Sequence, residues 1–131
     1  MTVRPESELL WKQGLEDLKT AEVLLEAGRY YASVFFSHQA VEKFLKAAFV
    51  EVRREMYPRT HNLVKLGREL GLDEVLEDLM ELNPEYSITR YPDAANGLPA
   101  EMHNKSTAKK HLERAKRVMI ACERLIKSSG Q

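Results

Sequence analysis

His38 and Glu42 stand four residues apart on a seam that is otherwise apolar: Tyr31, Phe35, Leu45, Phe49 and Val52. At that spacing an imidazole and a carboxylate share one helix face. Buried without partners, each would cost about 1–3 kcal/mol. They are therefore a hydrogen-bonded pair that sets packing register, or a seam edge open to water, or Glu42 accepts a loop arginine such as Arg90 in a cleft. The second candidate is Tyr86-Ser87-Ile88-Thr89-Arg90-Tyr91-Pro92-Asp93. Arg90 is the one basic residue among eight acidic ones between positions 73 and 101. Its planar guanidinium suits a phosphate or carboxylate, and Tyr91 offers a ring on which a base can stack. The structural alternatives are a salt bridge that anchors the loop and ordinary loop packing.

Other chemistries lack their residues. A di-iron bundle needs paired Glu-x-x-His motifs on two helices, and none is present. Histidines 38, 61, 103 and 111 do not have the converging spacing of a zinc site. The six glycines never cluster into a phosphate loop, and no nucleophile-elbow motif supports a Ser/His/Asp hydrolase. The expectation is no metal and no cofactor.

The elements that must position these residues read as helices. Trp11, Leu15, Leu18, Ala21 and Leu25 recur at three and four, predicting a helix from about Pro5 to Ala27 that stops at Gly28. A longer helix from Tyr30 to about Arg54 carries two adjacent apolar seams and must be covered on both flanks. After the break at Tyr57-Pro58-Arg59-Thr60, Leu63, Leu66 and Leu70 mark a short helix ending at Gly71. Asp73 is expected to cap another, with Val75, Leu76, Leu79 and Leu82. From Asn83 to Lys105 the periodicity is lost, in a connection far longer than the usual ~4–6 residues, and loops of this kind are often functional. Ser106 is expected to cap the last helix, whose seam is Ala108, Leu112, Ala115, Met119, Cys122 and Ile126. The pattern predicts an all-α, antiparallel up-and-down helical bundle of four to five helices in one domain, 1–131.

Composition narrows the setting. With 44% apolar and 31% charged residues the chain is that of a soluble globular protein. One cysteine, Cys122, excludes an internal disulfide and reads as a reduced, buried thiol. The start, Met1 to Glu6, has no apolar signal core, and no run approaches the ~20 residues of a membrane span. The expectation is a cytoplasmic protein without membrane contact. Net charge is zero, yet residues 104–131 hold eight basic residues against two acidic ones. Either this basic helix packs against the acidic segment before it, or it faces a polyanion.

The order of these motifs resembles a known family. Ser37-His38-Gln39-Ala40-Val41-Glu42-Lys43-Phe44-Leu45-Lys46-Ala47 is similar to the central-helix signature of HEPN (higher eukaryote and prokaryote nucleotide-binding) domains. Thr60-His61-Asn62-Leu63, the Arg90-Tyr91-Pro92-Asp93 loop and the basic final helix follow in the family's order, from about Glu8 to Ile126. The resemblance implies a bundle of four or five helices that forms a homodimer. It implies binding of a nucleotide such as ATP, or of a minimal nucleotidyltransferase, in a toxin–antitoxin-like or substrate-binding role. His38, Glu42, Lys43, Lys46, Arg90, Tyr91 and Asp93 would surround the cleft. Lys43 and Lys46 are alternatively solvated, with Glu42–Lys46 a helical pair worth ~0.2–0.5 kcal/mol.

Other members of the family are metal-independent ribonucleases with an Arg-x4–6-His motif near the start of the last helix. This chain departs from that pattern: twelve residues separate Arg90 from His103. Arg54 and His61 have six residues between them but lie between the second and third helices. The expectation is a non-catalytic member, with RNA a lesser candidate ligand than a nucleotide. The alternatives are a ribonuclease toxin using Arg90 with His103 or Arg54 with His61, and a structural adaptor bundle.

Overall fold

Pro5 occupies the first helical turn, where its missing N–H deprives no carbonyl of a partner. It opens α1 (Pro5–Glu26), and a left-handed Gly28 (φ +78°) closes it. There Arg29 N–H donates to the Leu24 carbonyl and Gly28 N–H to that of Leu25, which turns the chain directly into α2 (Tyr30–Arg53). The two helices run antiparallel and close together. Ser33 Oγ donates to the Ala21 carbonyl at 2.7 Å, and Ser7 Oγ to that of Ala47 at 3.3 Å. Gly14 is required here, because a Cβ would lie 2.7 Å from the Phe44 ring.

The computed structural model describes residues 4–129, so part of the N-terminal reading, Met1 to Val3, lies outside it. After α2 come α3 (Leu63–Glu69), a 3-10 turn (Asp73–Val75), α4 (Leu76–Leu82), α5 (Glu85–Ile88), α6 (Pro92–Ala95), a 3-10 turn (Pro99–Glu101) and α7 (Lys105–Ser129). No strand occurs among the described residues. α7 runs antiparallel to α1: Lys116 pairs with Glu22, while Ile126 shares a groove with Trp11. The result is an antiparallel bundle of five principal helices, α1, α2, α3, α4 and α7, with two single-turn helices added.

The core forms where α2 is covered on both flanks. Val41, Phe44, Leu45 and Ala48 meet Leu63, Leu66, Leu79 and Leu82 with Leu112, Ala115, Val118 and Cys122, all buried. Burial pushes the Cys122 thiol well above its ordinary value, so it stays protonated and unreactive. On α1 the buried residues are Ser7, Gly14, Asp17, Leu18 and Ala21, while Trp11 and Leu15 of the expected apolar face are only half-buried. No helix among the described residues is long and apolar enough to cross a membrane.

Three local expectations need correction. Asp73 makes no capping bond; it begins the 3-10 turn, and Leu72 takes the preceding position. α7 is capped by Asn104, not Ser106: Asn104 Oδ1 accepts Thr107 N–H at 2.9 Å while Thr107 Oγ1 accepts Asn104 N–H at 3.0 Å. The connection from 83 to 105 is ordered into α5, α6 and a 3-10 turn, each too short for its hydrophobic period to show in the sequence. The acidic and basic segments do pack together at Asp78, which accepts from Arg114 at 2.9 Å and Arg117 at 2.8 Å.

Candidate functional site

α2 ends at Arg54 in the left-handed region (φ +56°), and the following turn folds the chain back along the helix. Asn62 then caps α3 by accepting Lys65 N–H, and Asn83 accepts Leu63 N–H at 2.8 Å. These bonds fix His61 above α2. Its Nδ1 lies 2.9 Å from Glu42 Oε1, and Lys46 Nζ donates to Glu42 Oε2 at 2.9 Å. Glu42 and Lys46 are 7% and 8% exposed, so this is a buried ion pair that reaches the surface through His61. Burial alone would raise the Glu42 carboxyl, but the bonds from Lys46 and His61 outweigh it and hold it below its ordinary value. Lys46 also lies over the Tyr57 ring, 4.9 Å from its centroid.

From His61 the cluster continues outward. The His61 ring stacks on Tyr86 of α5, with centroids 3.9 Å apart and planes 13° from parallel. The Arg90 guanidinium sits over the rings of Tyr86 (4.7 Å), Tyr91 (4.9 Å) and Phe35 (5.9 Å), and donates to Tyr91 Oη at 2.9 Å. It forms no ion pair among the described residues. The salt bridge considered as the loop's anchor is absent there, and three aromatic faces hold the cation instead. Arg90 and Tyr91 are exposed, and the His61 side chain is 52% exposed.

His38 lies beneath, its ring 5.6 Å from that of Tyr86. It is wholly buried, touches the Gln39 amide at 3.4 Å, and leaves Nε2 without a hydrogen-bond partner. Burial pushes its ring down to about 4, against the opposing pull of the Glu42 and Glu85 carboxylates. The expected bond between His38 and Glu42 does not form, because Glu42 is taken by the two better donors, Lys46 and His61. Arg90 is likewise not the partner of Glu42.

Glu42, Lys46, Arg90 and Tyr91 thus join one continuous cluster. Lys43, expected at the cleft, turns to α1 and pairs with Asp17 at 2.5 Å. Asp93 is exposed on α6, outside the cluster. His61, Tyr86, Tyr57 and Phe35 complete the cluster without having been placed in it from the sequence. Phe35 already lies on α2, on the seam of His38 and Glu42; only the return of the chain after Tyr57-Pro58 brings His61 and Tyr86 to that helix, and no local pattern carries that signal. Neither arginine–histidine pair considered for a ribonuclease is joined by a hydrogen bond: His103 bonds to Glu85 at 2.9 Å, and His61 bonds to Glu42 while Arg54 ends α2. Arg90 and His61 instead share Tyr86.

The chain is similar to known proteins along nearly its whole length. It is 29% identical over 136 residues to a Methanocaldococcus jannaschii protein named "Putative toxin MJ1304", covering 92% of this chain and 88% of that one. The crystal structure of TT1696 from Thermus thermophilus superposes with a TM-score of 0.83 at 25% identity, over 93% of this chain and 99% of that one. That of ST0689, an archaeal HEPN homologue, gives 0.78 at 26% identity, over 96% and 99%. The family description that matches residues 7–125 is the HEPN domain, and the chain belongs to that family.

Proposed function

We propose that this protein binds a nucleotide through the Arg90 cluster and acts without catalysis, as the HEPN member of a pair with a small nucleotidyltransferase. The observation that carries this reading is the exposed Arg90 guanidinium, backed by three aromatic rings and paired with no carboxylate among the described residues. A planar cation that pairs with no carboxylate, beside the exposed Tyr91, suits a phosphate and a base. The name of the Methanocaldococcus relative supports a toxin–antitoxin-like setting. Titration calorimetry of ATP into wild type and Arg90→Ala tests it. A charge-assisted bond is worth about 1.5–3 kcal/mol, so the variant should bind at least about tenfold more weakly. Equal binding by both proteins refutes the site, and no heat in either redirects the search to the nucleotidyltransferase itself.

The homodimer is proposed through the groove between α1 and α7. Trp11, Leu15 and Ile126, with Met119 and Ile120, leave an apolar strip there. Four ion pairs flank it: Lys12–Glu8, Lys19–Glu16, Lys116–Glu22 and Lys127–Glu123. Equal numbers of both signs around an apolar strip make a surface complementary to a second copy of itself.

One observation favours the ribonuclease alternative. His61, whose Nδ1 faces Glu42, has a second ring nitrogen left for proton transfer, and it shares the Tyr86 ring with the Arg90 cation. Cleavage of RNA in EDTA that is lost in His61→Ala would establish it, and intact RNA removes it.

A further inference from the structure

Two other histidines and a carboxylate are buried together, at the two ends of the segment that carries Arg90. Glu85 opens α5, and its Oε1 lies 2.9 Å from His103 Nε2. Its Oε2 lies 3.9 Å from His111 Nε2 on α7. His103 Nδ1 is 3.0 Å from Thr107 Oγ1, and His111 Nδ1 donates to the Thr107 carbonyl at 2.8 Å. The side chains of Glu85, His103 and His111 are almost wholly enclosed.

The placement matters because of what lies between. The Glu85–His103 bond joins residues 18 apart and closes the base of a loop containing Tyr86, Arg90 and Tyr91. Within residues 84–102 the other hydrogen bonds are local, such as Tyr91 N–H to the Ser87 carbonyl and Gly97 N–H to that of Pro92. Among the described residues, Glu85 is also the only one from 84 to 102 that forms an ion pair. α5 and α6 have four residues each, too few to persist without tertiary contacts. Apart from the clasp, the loop is held by Tyr86 against His61 and His38, by Arg90 over Phe35, and by the buried Thr89 and Pro99.

We infer that Glu85 and His103 are positioning residues for the anion site: their buried bond clasps the loop that presents Tyr86 and Arg90. This rests on the nucleotide reading above for its ligand, though not for the clasp itself. His103→Ala removes the donor and leaves Glu85 to His111 alone. A merely structural loss would lower stability and leave affinity unchanged; a positioning loss lowers affinity in a protein that remains folded.

The test titrates ATP into wild type, Arg90→Ala, His103→Ala and His103→Gln, with amide hydrogen exchange on each and Trp11 fluorescence on α1 as the check on folding. His103→Ala should bind ATP about tenfold more weakly. Its exchange should rise across residues 86–102 and not in α1 or α2. His103→Gln, whose amide can still donate to Glu85, should recover both. Should His103→Ala unfold, His103→Asn, whose shorter amide falls short of Glu85, takes its place and must bind ATP about tenfold more weakly than His103→Gln. ATP binding unchanged in His103→Ala but lost in Arg90→Ala overturns the inference while leaving the nucleotide reading intact. Binding unchanged in Arg90→Ala sinks the nucleotide reading instead. Exchange then decides the clasp alone, and unchanged exchange in His103→Ala overturns it.

Discussion

Glu42→Ala is the most informative single substitution. The side chains of Glu42 and Lys46 are 9% and 10% exposed, so the ammonium left behind is a buried charge. Among the described residues the Tyr57 ring is then the one partner left to the ammonium, and His61 loses its Nδ1 partner. Removing one member of such a pair costs about 3–5 kcal/mol, most of it the desolvation of the charge that stays. For a domain of this size that is a fall in Tm of roughly 10–20 °C. Urea denaturation followed by circular dichroism measures it directly. Glu42→Leu combined with Lys46→Met removes both charges and should recover most of the loss. The pH dependence has a definite sign. The folded carboxyl titrates below its ordinary value of 4.5, so its contribution is complete above that value and is lost as pH falls through the lower folded value. A cost below about 1 kcal/mol for Glu42→Ala, or a double variant no more stable than Glu42→Leu, would refute the argument from buried charge.

Other outcomes follow from the same geometry. His38 titrates near 4 when folded against an ordinary 6.5, so between these values the unfolded chain binds the additional proton. Stability should therefore fall by about 1.5–2 kcal/mol from pH 6.5 to 5, and urea midpoints for His38→Gln should show a flatter slope. Gly67→Ala would place Cβ 2.2 Å from Leu79 Cδ1 in the core and should destabilise by about 1–3 kcal/mol, read by thermal melting; an unchanged Tm would mean that Leu79 repacks freely. Leu15→Asp in the α1–α7 groove should yield a monomer in sedimentation velocity, and a wild-type protein already monomeric at high concentration would end the dimer proposal.

The bundle was legible in the sequence because long amphipathic helices repeat their signal over many turns. α1, α2 and α7 appear within one or two residues of the expected ends, at Gly28 and near Arg54 and Ser106. The same redundancy identified α2 as central, since two adjacent apolar seams can be buried only between neighbours on both flanks. His38, Glu42 and Arg90 stood out for the complementary reason: each contradicts its surroundings, polar on an apolar seam or basic in an acidic stretch. Tertiary structure alone decided who meets whom. Lys43 and Lys46 differ by three positions, yet one turns to Asp17 on α1 and the other is buried beside Glu42. His61 reaches Glu42 from 19 residues away and His103 reaches Glu85 from 18, across connections whose path no local pattern specifies. Periodicity is a property of neighbours along the chain, whereas a site joins residues that only folding brings together.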